Sequence, residues 1–409
     1  MCKSGGLNCI MPPHLLERLA QSDDRDVRDA AIRTLVVTAQ MRGKRSVVPA
    51  MAAALATPTQ GRRTIFDALH QESVEGAELK RAETSPVSTD DAVNRAFDYL
   101  GSTRKFYADV FDRDSIDGMG MRLDGYVHFG DRLPNAFWDG RHMVFGDGDG
   151  RIYTDFTKSL GVIGHELTHG VTENTAGLAY HNQSGALNES ISDVFGSLID
   201  QYSLNQTAET ASWLIGAELL TPEFAGAAVR SMKDPGSAYD NPIMGKDPQP
   251  GHMRDYVALP DTAQGDHGGV HINSGIPNKA FYLTAINIGG QAWKAPGHIW
   301  YESLKASTAT TQFQEFAETT AAKAAQLYGA HEQQAVVDAW QQVGIRVVAA
   351  VQPAGLAPAA DGSLEALQKQ IEKLSADVRV LIKEVRGDGQ SKAKATNGRT
   401  GSRQKVKTN

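Results

Sequence analysis

Cysteine is almost missing from this chain: Cys2 and Cys9 are the only two in 409 residues. Both lie within the first ten positions, so no disulfide framework staples the folded body, and packing and metal must stabilise it. Long apolar runs are missing as well. No stretch approaches the roughly 20 residues needed to cross a bilayer, so no membrane-spanning helix is expected. The first twenty residues hold one lysine and no apolar segment before Pro12-Pro13. They do not read as a secretory signal, and the expectation is a protein that is cytoplasmic or leaves the cell by a non-classical route. What is present is ordinary for a globular chain, 41% hydrophobic and 22% charged, and long enough for two or three domains with sizeable cores. The net charge of −7 is unevenly spread. Residues 1–60 carry +3 and residues 387–409 carry +5, which leaves −15 on the body between them. An acidic body gives no reason to expect a nucleic-acid partner.

The pattern divides the chain further. Residues 1–60 hold two short amphipathic repeats, Leu15-Leu16-Leu19 and Val27-Ala30-Ala31-Leu35, followed by small residues and Gln60-Gly61-Arg62-Arg63. That describes a helical module ending in an exposed, cleavable joint. Residues 61–180 combine turns, aromatic alternation and a few helical repeats. Within them His142-Met143-Val144-Phe145, the glycine-aspartate run at 146–150 and Arg151-Ile152-Tyr153 read as a hairpin. The run lacks the distal glutamate of an EF-hand and reads as turn chemistry. Residues 181–346 are helical by periodicity, with helices expected over 278–288, 297–306, 313–328 and 331–343. An Ala/Pro/Gly linker follows at 347–362. After it Leu364, Leu367, Ile371, Leu374, Val378, Leu381 and Val385 are spaced 3-4-3-4-3-4, a heptad seam over 363–386. A short coil of this kind supports weak self-association. The basic residues 387–409 have the composition of a disordered tail.

The chemistry concentrates in Gly164-His165-Glu166-Leu167-Thr168-His169, an H-E-x-x-H string inside an apolar-periodic helix expected over 159–173. Histidines at i and i+4 stack on one helical face, where both reach one Zn²⁺. Glu166 stands beside them, placed to take a proton from a metal-bound water. Twenty residues after His169 comes Asn188-Glu189-Ser190-Ile191-Ser192-Asp193. Glu189 supplies a third, anionic ligand and completes a His₂Glu set with an open position. Asp193, one turn on, suits the other nitrogen of one ligating imidazole, and Asn188 suits the second.

These strings resemble the thermolysin family. So do Gly177-Leu178-Ala179-Tyr180, Val270-His271-Ile272-Asn273-Ser274-Gly275 and Asn135-Ala136-Phe137-Trp138, all in the family's order across roughly residues 91–345. Met11-Pro12-Pro13 in a short N-terminal module is similar to the protealysin branch. The resemblance implies an α+β protease with a β-rich N-terminal domain, a zinc helix at the floor of a cleft and an α-helical C-terminal domain, with the coiled coil as an addition. It implies a proenzyme acting on peptides and proteins with one zinc per chain, cutting before hydrophobic residues. By position His271 and Tyr180 match the oxyanion donors and Asp266 the group that orients His271. Arg230 matches the arginine on a substrate carbonyl, and Asn135 and Ala136 match the main-chain holders. Val162, Ile215, Leu219 and Val229 match the pocket for the side chain after the cut. At the family's calcium positions only Asp200 keeps a carboxylate, with Gly161, Ser212, Leu214 and Ala217 at the rest, so weak calcium binding or none is expected. Two other readings exist. A scaffold that retains zinc would not need every catalytic residue, and all are present. A metallo-aminopeptidase would need an acidic exopeptidase motif before the zinc helix, and none is found. A thiolate from Cys2 or Cys9 on the metal is the alternative to packing of the Pro12-Pro13 module on the N-terminal domain, and the packing is favoured.

Overall fold

Alternating apolar residues in the first half pair into one mixed sheet. In this computed structural model the described residues are 8–47, 63–222, 224 and 226–347. They belong to the first of two units, residues 1–349. The joint residues Gln60, Gly61 and Arg62, the linker beyond Val347, the heptad seam and the basic tail lie outside the described residues. The strands are β1 (Asn8–Cys9), β2 (Arg63–Asp67), β3 (Glu78–Ala82), β4 (Leu123–Val127), β5 (Ala136–Trp138) and β6 (His142–Phe145). Their order is β1-β5-β6-β4-β2-β3. β2, β4 and β6 run parallel, while β1, β5 and β3 pair antiparallel with their neighbours.

Two helices of the N-terminal module, α1 (Pro13–Leu19) and α2 (Arg25–Val47), precede the sheet. Pro13 opens α1 where a missing N–H costs nothing. Leu15, Leu16 and Leu19 are buried in the same core as the catalytic helices. Each such burial stabilises the docked module by about 1.5–3 kcal/mol. Helix α3 (Asp91–Phe111) starts where the Asp90 carboxylate accepts from the amides of Ala92 and Val93. Its buried residues Val93, Ala96, Phe97 and Leu100 face the sheet core. Gly125 on β4 permits the approach, since a Cβ there would lie 2.8 Å from Ile65 and 3.2 Å from Leu100.

The expected hairpin at 142–153 is not formed. β6 pairs instead with β5, which precedes it, and with β4, while Tyr153 bridges Leu220. The reason lies in the turn. Asp149 Oδ1 collects the amides of Arg151, Ile152 and Tyr153 at 2.8–2.9 Å, which directs the chain away from β6. The turn chemistry read from the sequence is therefore present, without the returning strand.

The second half is helical. Helices α4 (Leu160–Glu173) and α5 (Asn182–Ser203) cross closely, because glycines face each other at the contact. A Cβ on Gly196 would sit 2.4 Å from the Gly161 carbonyl oxygen, and one on Gly164 would sit 3.3 Å from the Gly196 Cα. Beyond them come α6 (Asp266–Asn273), α7 (Gly275–Ile288), α8 (Ala295–Ala306), α9 (Phe313–Leu327) and α10 (Ala330–Gln342). The last four fall on the four helices expected from periodicity. Trp300 and Trp340 stack with ring centroids 6.2 Å apart, with Phe316 edge-on to both, and give this half its own aromatic centre.

Candidate active site

Helix α4 is capped by Ser159, whose hydroxyl accepts from the Val162 amide, and it delivers His165 and His169 to one buried face. The glycine-lined crossing brings α5 near enough for Glu189 to meet them. The two Nε2 atoms are 3.1 Å apart, and the Glu189 oxygens lie 3.6 Å from His165 and 3.5 Å from His169. All three side chains are fully buried. A tetrahedral Zn²⁺ with bonds of about 2.0–2.2 Å holds its ligand atoms about 3.3–3.5 Å apart, so the set fits the ion. Among the described residues this is the group of His, Cys, Asp and Glu side chains arranged to hold a metal.

Tautomers support the fit. Nδ1 of His165 lies 2.8 Å from Asp193 Oδ1, and Nδ1 of His169 lies 2.8 Å from Asn188 Oδ1 and 3.0 Å from Ser192 Oγ. With protons on Nδ1, two Nε2 lone pairs face each other beside a carboxylate, an arrangement that only a cation stabilises. Glu189 Oε2 is buried without a hydrogen-bond partner, as a ligand oxygen would be. Asp193 also receives two hydrogen bonds from Arg230, at 2.9 and 2.8 Å, and one from Asn278 at 2.9 Å. Burial opposes its charge, but Arg230 and His165 hold its carboxyl far below the usual range.

Next to this set stands Glu166, its Oε2 accepting from the Trp138 amide at 3.1 Å. Burial, then the Glu189 charge, raises its carboxyl well above the ordinary range. Across the site the chain from Asp266 to Gly269 takes four left-handed residues in a row, after which α6 carries His271. Asp266 accepts from the His271 amide at 2.8 Å and from Nδ1 at 2.6 Å. Burial disfavours the imidazolium, yet Asp266 and Glu189 outweigh it and lift His271 to about 9. Tyr180 donates to Glu189 and lies 3.2 Å from His271 Nε2.

The comparisons with known proteins decide what this geometry belongs to. Residues 54–173 match the catalytic domain of thermolysin metallopeptidase, and residues 176–345 match its alpha-helical domain. The chain belongs to the thermolysin family. An extracellular metalloprotease of Pectobacterium carotovorum is 46% identical over 347 residues, which is 84% of this chain and 98% of that one. Thermolysin of Alicyclobacillus acidocaldarius is 39% identical over 268 residues, 63% of this chain and 46% of its own. The solved precursor of protealysin from Serratia proteamaculans superposes with a TM-score of 0.74 at 45% identity, covering 83% of this chain and 99% of that one. As a thermolysin-family member the chain is a zinc-dependent metalloendopeptidase of the protealysin-like kind, and its two-domain α+β fold is the one expected from the sequence.

In this thermolysin-like protein the remaining expected residues fall as follows. Val162, Ile215, Leu219 and Val229 are all buried. The first and the last two converge on Gly216, where a Cβ would meet each of them within 3.5 Å. Asn135 and Ala136 stand at the head of β5, and β1 of the N-terminal module pairs with that strand, Cys9 opposite Phe137 and Asn8 opposite Trp138. Cys9 is not one of the three grouped ligands. Its Sγ contacts the Met11 carbonyl at 3.5 Å, and burial pushes the thiol up to about 11. Asp200 is half-buried against Gly161, and this desolvation with the nearby Glu218 raises its carboxyl to about 8. The sequence did not single out Ser192, Asn278 or Gln249. Gln249 donates to the His271 carbonyl at 2.7 Å. Hydrogen-bond partners from distant segments leave no local spacing to read.

Proposed function

We propose that the enzyme hydrolyses peptide bonds on the N-terminal side of hydrophobic residues, with Glu166 as the general base and His271 and Tyr180 stabilising the oxyanion. The observation that supports this reading most is the convergence of His165, His169 and Glu189 with Glu166 on one side and the Asp266-oriented His271 on the other. Zn²⁺ held by the first three supplies a Lewis acid and an acidified water. Glu166 takes the water proton and passes it to the leaving nitrogen. His271 and Tyr180 donate where the carbonyl oxygen gains charge. Asp266 fixes the imidazole. Arg230, Asn135 and Ala136 hold substrate backbone, and Val162, Ile215, Leu219 and Val229 form the apolar pocket after the cut.

Residues 1–60 act as a prosegment removed near Gln60–Arg63, in keeping with the precursor form of the similar protealysin. Residues 61–180 and 181–346 are then the two catalytic halves. Calcium is not required in this reading, since only Asp200 keeps a carboxylate at the positions that would hold it. The extracellular placement in the name of the Pectobacterium relative is proposed for this chain too, and residues 363–386 are proposed to join copies weakly.

Two variants test the reading. Glu166→Ala should keep its zinc and its fold but lose about 10²–10⁴ in rate on a quenched peptide. His165→Ala should lose both zinc, by elemental analysis, and turnover. Full zinc in the second, or wild-type turnover in the first, defeats the assignment.

A further inference from the structure

Residues 8–11 cross the cleft, Asn8 and Cys9 as a strand and Ile10 and Met11 through a bend, and successive backbone groups meet the residues assigned above to substrate. The Cys9 carbonyl lies 3.0 Å from His271 Nε2. The Ile10 carbonyl accepts from Arg230 at 3.0 Å, and the Met11 amide donates to Asn135 Oδ1 at 3.3 Å. Between the first two contacts, the Ile10 N–H hydrogen-bonds to the Glu166 carboxylate. One peptide bond therefore has its carbonyl at the oxyanion donor and its nitrogen at the base. That bond is Cys9–Ile10, and the residue after it is a fully buried isoleucine, the apolar kind the pocket accepts.

We propose that Cys9–Ile10 is a bond the enzyme hydrolyses within its own chain, leaving Ile10 as a new N-terminus. This rests on the roles given under Proposed function. The water oxygen adds to the Cys9 carbonyl carbon while Glu166 takes a proton. The C–N bond then breaks, and the proton passes to the Ile10 nitrogen. The second water proton follows to the same nitrogen, so the products are a Cys9 carboxylate and an Ile10 ammonium, with no reactant needed beyond water.

The register admits this bond and not its neighbours. A shift of one residue toward the C-terminus would place Pro12 where Met11 now donates to Asn135, and proline has no N–H to give. Pro13 begins α1, and the buried Leu15, Leu16 and Leu19 prevent sliding. The cut does not free the module. Ile10 and Met11 keep their bonds to Arg230 and Asn135, and α1 stays packed, so the nicked protein remains latent until the joint near residues 60–63 is severed.

The test follows the full 409-residue precursor, purified in chelator and started with zinc, by intact mass and N-terminal sequencing at several protein concentrations. The expected result is a species lacking residues 1–9 that forms with one first-order rate constant at every concentration. It should be absent in Glu166→Gln and Ile10→Pro and retained in Ile10→Val. A rate that rises with concentration overturns the intramolecular cut. Turnover of an added quenched peptide while residues 1–9 stay attached overturns the proposal and leaves the peptidase reading standing. Failure of both overturns the two together.

Discussion

Asp193 does more than orient a ligand. The same carboxylate meets His165, Arg230 and Asn278, so it ties the metal site to the arginine proposed to hold substrate backbone. Asp193→Asn should weaken zinc binding about 10–100-fold in competition with a chelator, and KM for peptides should rise with it. An unchanged zinc affinity would show that Asn188 and Ser192 suffice. His14 poses the opposite case. Both its ring nitrogens are buried without partners, near Asp266, His271 and Arg230, and burial lowers it to about 4. The docked state thus binds fewer protons than the free one, so docking is fully favoured above about pH 6.5. It weakens as the pH falls toward 4, by up to ~3 kcal/mol. In the Glu166→Ala background, attack by an added protease on the N-terminal module should increase over that range, and His14→Phe should flatten the response.

Among the elements, the start of α3 is tied to the sheet by one imidazole. His128 lies between Asp90 and Asp147, at 2.8 Å from each. Asp147, then Asp90, raises it to about 9 against a partial burial that works the other way. Its folded value exceeds its unfolded one, so the contribution is full below about pH 6.5 and lost as the pH rises through 9. Thermal midpoints of Glu166→Ala should fall across that window, and adding His128→Gln should lower the acid-side value and remove the slope. This tie was invisible in the sequence because its three members are 19 and 38 residues apart. The helices were legible because burial repeats every three or four residues along them; α7 to α10 each begin within three residues of expectation. The zinc helix was legible for a further reason, since its ligands share one face. Strand β1 was not, as Asn8 and Cys9 are too few to alternate, and their pairing is dictated by a strand near residue 137. The hairpin failed because an aspartate side chain, not a cross-strand ladder, decided where the chain went after Gly150.

For the whole chain, the acidic body and the heptad seam make separate demands. A three-heptad seam is near the lower limit for holding chains together. Glu166→Ala protein should sediment as a weak, concentration-dependent oligomer, and removal of residues 347–409 should return it to monomer. Equal monomer masses would instead indicate that the seam is buried within one chain. Finally, the contacts that hold residues 8–11 in the cleft are made mostly to backbone atoms. A site that grips the main chain measures shape before it measures identity, so a client protein must surrender about four residues of its own secondary structure to be cut. The enzyme then works as a gauge of local unfolding: well-folded neighbours are spared whatever their sequence, and the rate at which any protein is consumed follows how often one of its segments comes loose.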